Sequence, residues 1–209
     1  MVTANEAETT LKTIRSLMER ATIYRAVSAN TAILGGVLAI ALSAWGIFTA
    51  CGQGSSDLNF VASWIIVCIF VSVVNAIVLH KQAWLRSEPF VSPGMKLALR
   101  GIIPPLLAGV ALTAMLPPIP VLVTLWMLFY GLALLSTQEF APASIQWLGR
   151  AFVILGVLTG LLWSLCRPCA NPLFFGSAAM GLSFGVLHVI YGVTTLRAVK
   201  AGRETEAAA

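Results

Sequence analysis

The chain is a succession of long apolar runs separated by short polar connections. Each run is close to the length of about 20 apolar residues that a membrane-crossing helix needs. The runs lack the alternation of apolar and polar positions that a β-barrel strand requires, and backbone groups in lipid must be satisfied within the segment, so the pattern predicts helices. The six predicted spans cover residues 27–48, 60–80, 97–116, 121–136, 147–166 and 173–196.

The fold class that this pattern predicts is all-α. We expect a polytopic membrane helix bundle, with six transmembrane helices in three hairpins and an amphipathic helix before them. The fourth run is short, and a group of prolines fixes its outer end. The predicted organisation is a cytoplasmic amphipathic helix over residues 1–26, a transmembrane domain over 27–196 and a disordered cytoplasmic tail over 197–209.

Composition supports the membrane interpretation. Hydrophobic residues make up 58% of the chain and charged residues only 10%, whereas a soluble domain draws about a quarter of its residues from Asp, Glu, Lys and Arg. This excludes a conventional soluble enzyme, a disordered chain and a direct nucleic-acid-binding protein as first interpretations. The lipid bilayer is the expected surrounding of most of the surface.

The positions of the basic residues predict the orientation. If the six helices alternate in direction, Arg167 falls on one side of the membrane and every other Lys and Arg falls on the opposite side. Cytoplasmic connections carry the excess of basic residues. We therefore expect a multi-pass protein of the bacterial inner (plasma) membrane with both termini in the cytoplasm, and the net charge of +5 reflects this topology.

The residues before the first span have helical amphipathic spacing over 6–25. The apolar positions are Leu11, Ile14, Leu17, Met18, Ala21 and Tyr24, and the opposite face carries Lys12, Arg15, Glu19 and Arg20. A basic amphipathic helix of this kind lies along a membrane surface with its cationic side chains near the phosphates. The alternative is that residues 6–25 bind a cytoplasmic protein partner.

A few polar or helix-breaking residues within the spans are candidates for a ligand site or a transport path. They are Asn75, Pro104, Pro105, His188 and Tyr191. A titratable residue inside a membrane span is a functional candidate by default, and prolines free backbone carbonyls that can line a cavity. This group supports the alternative function of a small transporter or channel with a path near Asn75 and His188.

The cysteines provide a third hypothesis. Cys51, Cys166 and Cys169 fall on the outer side of the predicted topology, and Cys68 lies in the second span. In an oxidising compartment the outer cysteines favour a structural disulfide, although the Cys-x-x-Cys spacing of Cys166 and Cys169 also occurs in thiol redox enzymes. The pairing stays open among Cys51, Cys166 and Cys169.

Small residues recur at steps of four in three spans, and such stripes allow neighbouring membrane helices to approach closely. The predicted helix-packing glycines are Gly101, Gly109, Gly156, Gly160, Gly181 and Gly185.

Four segments, namely residues 14–20, 104–109, 126–131 and 185–192, together resemble a family of small bacterial six-span inner-membrane proteins with no assigned activity. Genes of that family often lie beside one for a winged-helix transcriptional regulator. The resemblance implies the six-span layout and a regulatory or envelope-related role.

We therefore expect a small membrane regulator, sensor or scaffold that acts through binding rather than through catalysis. The sequence indicates no cofactor and no metal site, and it is compatible with an oligomer.

Overall fold

The computed structural model describes residues 6, 8–14, 28–52, 56–85, 91, 93–138, 141–166 and 171–208, and all regular secondary structure in these ranges is helical. The elements are α1 (Ala29–Cys51), α2 (Asp57–Leu85), α3 (Pro93–Ala114), α4 (Ile119–Leu135), α5 (Ala143–Cys166), α6 (Pro172–Met180), a π-helical section π1 (Gly181–Leu187) and α7 (His188–Ala208). The elements α6, π1 and α7 are continuous, and together they are called the last helix below.

Five of the described helices are long and apolar enough to cross a membrane. They are Ala29–Cys51, Asp57–Leu85, Met95–Ala114, Ala143–Leu165 and Pro172–Ala201. Several long apolar helices are typical of an integral membrane protein, which is the class to which this fold points.

The fourth predicted span is α4, and it is shorter than the others. Its 17 residues extend over about 25 Å, less than the hydrocarbon thickness of about 30 Å. It is also strongly buried, with Ile119, Leu122, Val123 and Met127 each no more than 1% exposed. Because other helices cover α4, its length is not set by contact with lipid, and the count of six spans is not confirmed.

The contacts fix the relative direction of several helix pairs. Helix α4 and the last helix run parallel, because Gly176 faces Ile119 and Val123 whereas Tyr130, later in α4, contacts His188.

The contact of α1 with the last helix is antiparallel. Gly36 in α1 faces Gly185 and Val189, whereas Gly46, further along α1, faces Ser177 near the start of the last helix. The same reversal relates α4 to α5 and α3 to α4, since in each pair later positions on one helix contact earlier positions on the other.

The closest packing does not follow three consecutive hairpins. The most extensive pairs are α4 with α5 and α1 with the last helix. Helices α5 and α6 follow each other in sequence, but α5 meets the last helix mainly through rings, with Phe152 and Phe184 4.7 Å apart and Trp163 and Phe175 5.3 Å apart between centroids. The predicted hairpin arrangement is therefore not confirmed.

Helices α2 and α3 lie at the periphery. Only 11% of the apolar window of α2 and 6% of that of α3 is buried, against 33% for the last helix. Large apolar side chains on α2 and α3 point outward, including Ile66, Phe70, Ile77, Leu107 and Val110. In water this surface would be unfavourable, whereas in a bilayer it is the surface that lipid covers.

The structure describes parts of the two predicted segments that flank the spans. Residues 8–14 are helical, and Lys12 forms an exposed ion pair with Glu8, but positions 1–5, 7 and 15–26 of the predicted amphipathic helix lie outside the described residues. At the other end α7 continues to Ala208. Ala, Glu and Arg in this stretch are good helix formers, which accounts for the continuation. The division of the chain into these segments stays a prediction.

Candidate functional site

The polar contact of greatest interest inside the bundle joins α4 to the last helix. The hydroxyl oxygen of Tyr130 lies 2.9 Å from Nε2 of His188, at hydrogen-bond distance. The two residues are far apart in sequence, so this bond forms only when α4 and the last helix pack together. Which of the two atoms donates depends on the tautomer of the imidazole.

Aromatic rings surround this pair. Phe152 of α5 contacts both members edge to face, with its ring centroid 4.7 Å from that of Tyr130 and 5.5 Å from that of His188. Phe184 of π1 stacks on His188, with the ring planes 12° apart. The cluster brings α4, α5 and the last helix together at one point, and its rings hold the imidazole in an apolar setting.

His188 is the first residue after the π-helical section. A π-helix carries an extra residue relative to the α-helix, is rare, and occurs frequently at functional sites. The second ring nitrogen, Nδ1, is buried and forms no hydrogen bond with the residues that the structure describes. The imidazole is therefore held by its hydrogen bond with Tyr130 and by ring contacts.

The π-helical section also lies against α1 at a very close approach of the two backbones. A Cβ atom on Gly36 would lie 2.8 Å from the carbonyl oxygen of Gly185 and 2.7 Å from Cγ2 of Val189. Further along, a Cβ on Gly192 would lie 2.7 Å from the carbonyl oxygen of Ala29, at the start of α1. Small residues on both sides make this contact, as expected for membrane helices.

Two serines add polar groups to the contact of α1 with the last helix. The Ser43 hydroxyl donates a hydrogen bond of 2.6 Å to the carbonyl oxygen of Ser177. Ser177 is buried against Gly46, and its own hydroxyl has no partner. At this interface the two backbones are therefore close, polar side chains are present, and the buried Ser177 hydroxyl forms no hydrogen bond with the described residues.

The path residues predicted from the sequence fall on different helix pairs. Asn75 accepts a hydrogen bond of 3.4 Å from the backbone N–H of Ser28, which ties α2 to the beginning of α1. Pro104 and Pro105 lie inside α3, which packs mainly on α4. Tyr191 is 2% exposed and belongs to the core. A path through these residues stays a prediction.

All six glycines predicted for helix packing face another helix in the structure. Gly101 faces Ser136 and Gly109 faces Phe129, both contacts between α3 and the α4 region; Gly156 faces Met127 and Leu128, and Gly160 faces Thr124, both between α5 and α4; Gly181 faces Ser43, and Gly185 faces Ile40, both between π1 and α1. These positions are where the bundle is held together.

The two cysteines whose side chains the structure describes are not joined by a disulfide. Cys51 and Cys68 are exposed free thiols, and the side chains of Cys166 and Cys169 lie outside the described residues. Among the side chains that the structure describes, no three His, Cys, Asp or Glu residues lie close enough together to hold a metal ion.

Several important residues were not predicted from the sequence. Tyr130 was not paired with His188, and Gly36 and Gly149 were not included among the packing glycines. Asn171, which caps α6 by accepting from the N–H groups of Leu173 and Phe174, was also missed. The Asn-Pro pair at residues 171–172 is a helix-start signal that would have identified it, whereas the partner of His188 requires the fold.

Comparison with protein-family models, with curated proteins and with solved structures finds no match to this chain.

Proposed function

We propose that this chain is a six-span protein of a bacterial inner membrane, with both termini in the cytoplasm. The directions of the contacting helices support six alternating spans. The last helix is antiparallel to α1, whereas it is parallel to α4, as expected for the fourth and sixth spans. Four of the six tryptophans support the same layout, because Trp84 and Trp147 lie at the cytoplasmic helix ends of that layout, and Trp45 and Trp163 lie near the outer ends. Aromatic residues of this kind concentrate at the two membrane interfaces.

We propose further that the protein is a small membrane sensor or scaffold that acts through binding. The observation that carries this proposal is the π-helical section at the glycine-lined contact with α1. A π-helical turn holds one residue more than the α-helical turn that can replace it. Conversion of π1 to α-helix would rotate α7 relative to α6 by about 100° and shift it by about 1.5 Å.

Such a shift would reach the start of α1. Gly192 of α7 lies against the backbone of Ala29, the first residue of α1, and residues 6–25 precede α1 in the sequence. In the proposed mechanism, residues 6–25 exchange between the inner leaflet and a cytoplasmic protein partner, and the state of the last helix biases that exchange. The Tyr130–His188 hydrogen bond favours one state, because it fixes the start of α7 to α4.

The first experiment removes the extra residue of π1. Deletion of Leu182, an exposed residue of the π-helical section, would make the last helix α-helical throughout while α6 and α7 keep their present register, so the last helix could no longer shift between two states. The readout is the rate at which a membrane-impermeant maleimide labels Thr10→Cys, with the native cysteines replaced by alanine. We expect a severalfold change in that rate relative to the same protein without the deletion.

The matched control deletes Val199, an exposed residue of α7 beyond its contact with α1. This deletion leaves π1 and its ability to convert intact, and it should not alter labelling of Thr10→Cys. If both deletions leave the rate unchanged, the last helix does not communicate with the N-terminal segment and the proposed mechanism is wrong.

The second experiment tests the partner. Removal of residues 1–20 should abolish co-purification of a cytoplasmic protein without preventing insertion into the membrane, because the spans are intact. Reporter fusions at both termini test the orientation in the same preparations. Unchanged partner recovery after the truncation would count against residues 6–25 as the binding segment.

A further inference from the structure

A cleft of about 300 Å³ opens between the end of α1 and the beginning of α2. That volume is at the lower end of the range of small-molecule sites. Its walls include Trp45 and Thr49 from α1, Ser63 from α2 and Leu173 from α6. None of the described residues that line the cleft carries a charge, so these walls recognise a ligand without an ion pair.

The cleft has a polarity gradient along the helix axes. On α1, apolar Leu42 lies deeper in the bundle and Thr49 lies closer to the helix end. On α2, which runs in the opposite direction, Asn59 lies close to the helix start and Ile66 lies deeper. Both walls therefore change from polar at the membrane surface to apolar toward the membrane interior, as an acyl lipid does.

Two polar side chains of the cleft are free to bind a ligand. The Asn59 carboxamide and the Ser63 hydroxyl form no hydrogen bond with the part of the chain that the structure describes. The Thr49 hydroxyl donates to the Gly46 carbonyl. At the depth where water becomes scarce, an unsatisfied polar group is costly, and the Asn59 N–H and Ser63 O–H groups suit the carbonyl oxygens of an ester.

We propose that this cleft binds one glycerolipid from the leaflet at the Cys51 end. Its ester carbonyls accept hydrogen bonds from Asn59 and Ser63, and one acyl chain lies along Leu42 and Ile66. Trp45 flanks the entrance, at the interfacial depth that tryptophan prefers. This site does not depend on rearrangement of π1, so it can be tested separately from the proposed mechanism.

The experiment uses the full chain in phosphatidylcholine vesicles that contain a phosphatidylcholine with a diazirine on one acyl chain. After illumination, mass spectrometry locates the labelled peptides. We expect labelling to concentrate on the cleft walls. Labelling of the exposed apolar face around Ile69 and Ile77, where bulk lipid exchanges freely, should be weaker at every ratio of labelled to unlabelled phosphatidylcholine.

Matched substitutions on α2 identify the site. Ala62 lines the cleft and Ala76 does not, and both are exposed. Ala62→Trp should reduce labelling of the cleft walls severalfold, and Ala76→Trp should leave it unchanged. The double variant Asn59→Ala and Ser63→Ala, which fills no space, should also reduce it. Labelling spread evenly over the outer faces, or insensitive to all these substitutions, would overturn the proposal.

Discussion

The contact of α1 with the last helix and the contact of α4 with α5 use the same local geometry with different helices. At the α1 interface, Gly36 faces the carbonyl of Gly185 and the side chain of Val189. At the α4–α5 interface, Gly131 faces the carbonyl of Gly149 and the side chain of Val153, at distances within 0.1 Å of the first set. Each pair is antiparallel and brings two backbones into contact through a glycine, a carbonyl and a valine.

The two interfaces differ in regularity. Both helices of the α4–α5 interface are α-helical through their whole length, and the Thr159 hydroxyl buried there donates a hydrogen bond to the sulfur of Met127. The α1 interface includes π1, the Ser43–Ser177 hydrogen bond and a buried hydroxyl without a partner. Uniform, satisfied packing specifies one arrangement, whereas an extra residue and an unsatisfied group leave a second arrangement accessible. We infer that α4 and α5 form the rigid part of the bundle and the last helix its adaptable part.

The Tyr130–His188 bond joins the two interfaces. Tyr130 comes directly before Gly131 of the α4–α5 interface, and His188 lies between Gly185 and Gly192 of the α1 interface. Because His188 directly follows π1, a change in π1 acts on this bond. This arrangement explains why a single intramembrane imidazole has a place in the bundle without a carboxylate partner.

The largest expected contrast comes from single-residue deletions in the two interfaces. Ile154 in α5 and Leu182 in π1 are both exposed. Deleting Ile154 turns Gly156 and Gly160 away from α4 by about 100° and should cost about 4 kcal/mol or more, a loss typical of disrupted cores. Deleting Leu182 should cost about 1 kcal/mol or less, because π1 can become α-helical.

Unfolding of the purified variants in mixed micelles, titrated with a denaturing detergent, measures both losses. Equal losses would contradict the distinction between the two interfaces, since they would mean that π1 is required in its present form and the last helix is as rigid as α5.

The second contrast adds a methyl group at equivalent glycines. Gly131→Ala places a Cβ 2.9 Å from the Gly149 carbonyl oxygen, and overpacking of this kind costs about 1–3 kcal/mol. Gly36→Ala makes the same collision but should cost less, because π1 can yield. Gly109→Ala is the control, since its Cβ would meet only Phe129 at 3.5 Å or more, and alanine favours the helix by about 1 kcal/mol.

Thermal denaturation in detergent ranks the three variants. A greater loss for Gly36→Ala than for Gly131→Ala would reverse the assignment of the rigid and adaptable interfaces.

The third contrast concerns the bond between the interfaces. Tyr130→Phe removes the hydroxyl and leaves Nε2 of His188 without its partner. Hydrogen bonds between membrane helices contribute about 0.6 kcal/mol on average and up to about 1.7 kcal/mol, so we expect a loss of about 1 kcal/mol. His188→Phe retains a ring among Phe152 and Phe184 and removes the other partner.

The double variant should lose less than the sum of the single losses, because both changes remove the same bond. The same detergent titration measures this cycle. Additive losses would show that the bond contributes nothing and that the two rings act independently.

The sequence predicts the features that depend on local chemistry. Apolar length predicts the long helices, and small residues at steps of four identify surfaces such as Gly156 and Gly181 that the structure places between helices. These patterns depend on residues within a single helix, so they can be recognised without the fold.

Helix pairing could not be predicted in the same way. Lipid is as apolar as leucine, so the hydrophobic effect does not choose between neighbours, and nothing in α1 indicates that its main partner is the last helix. The Tyr130–His188 bond depends on that choice. The π-helical section was equally hidden, because residues 181–187 contain no proline or other distinctive break and the extra residue is accommodated by packing against α1.

The smallest expected contrast compares the two serines of the α1 interface. Ser43→Ala removes the donor to the Ser177 carbonyl and should cost about 0.6 kcal/mol, the average for such bonds. Ser177→Ala removes a buried hydroxyl that has no partner, so its loss should be close to zero or the protein should become more stable. A detergent titration with replicate curves resolves the difference. If Ser177→Ala destabilises the protein more than Ser43→Ala does, then the Ser177 hydroxyl has a partner in the membrane, and the α1 interface is satisfied as fully as the α4–α5 interface.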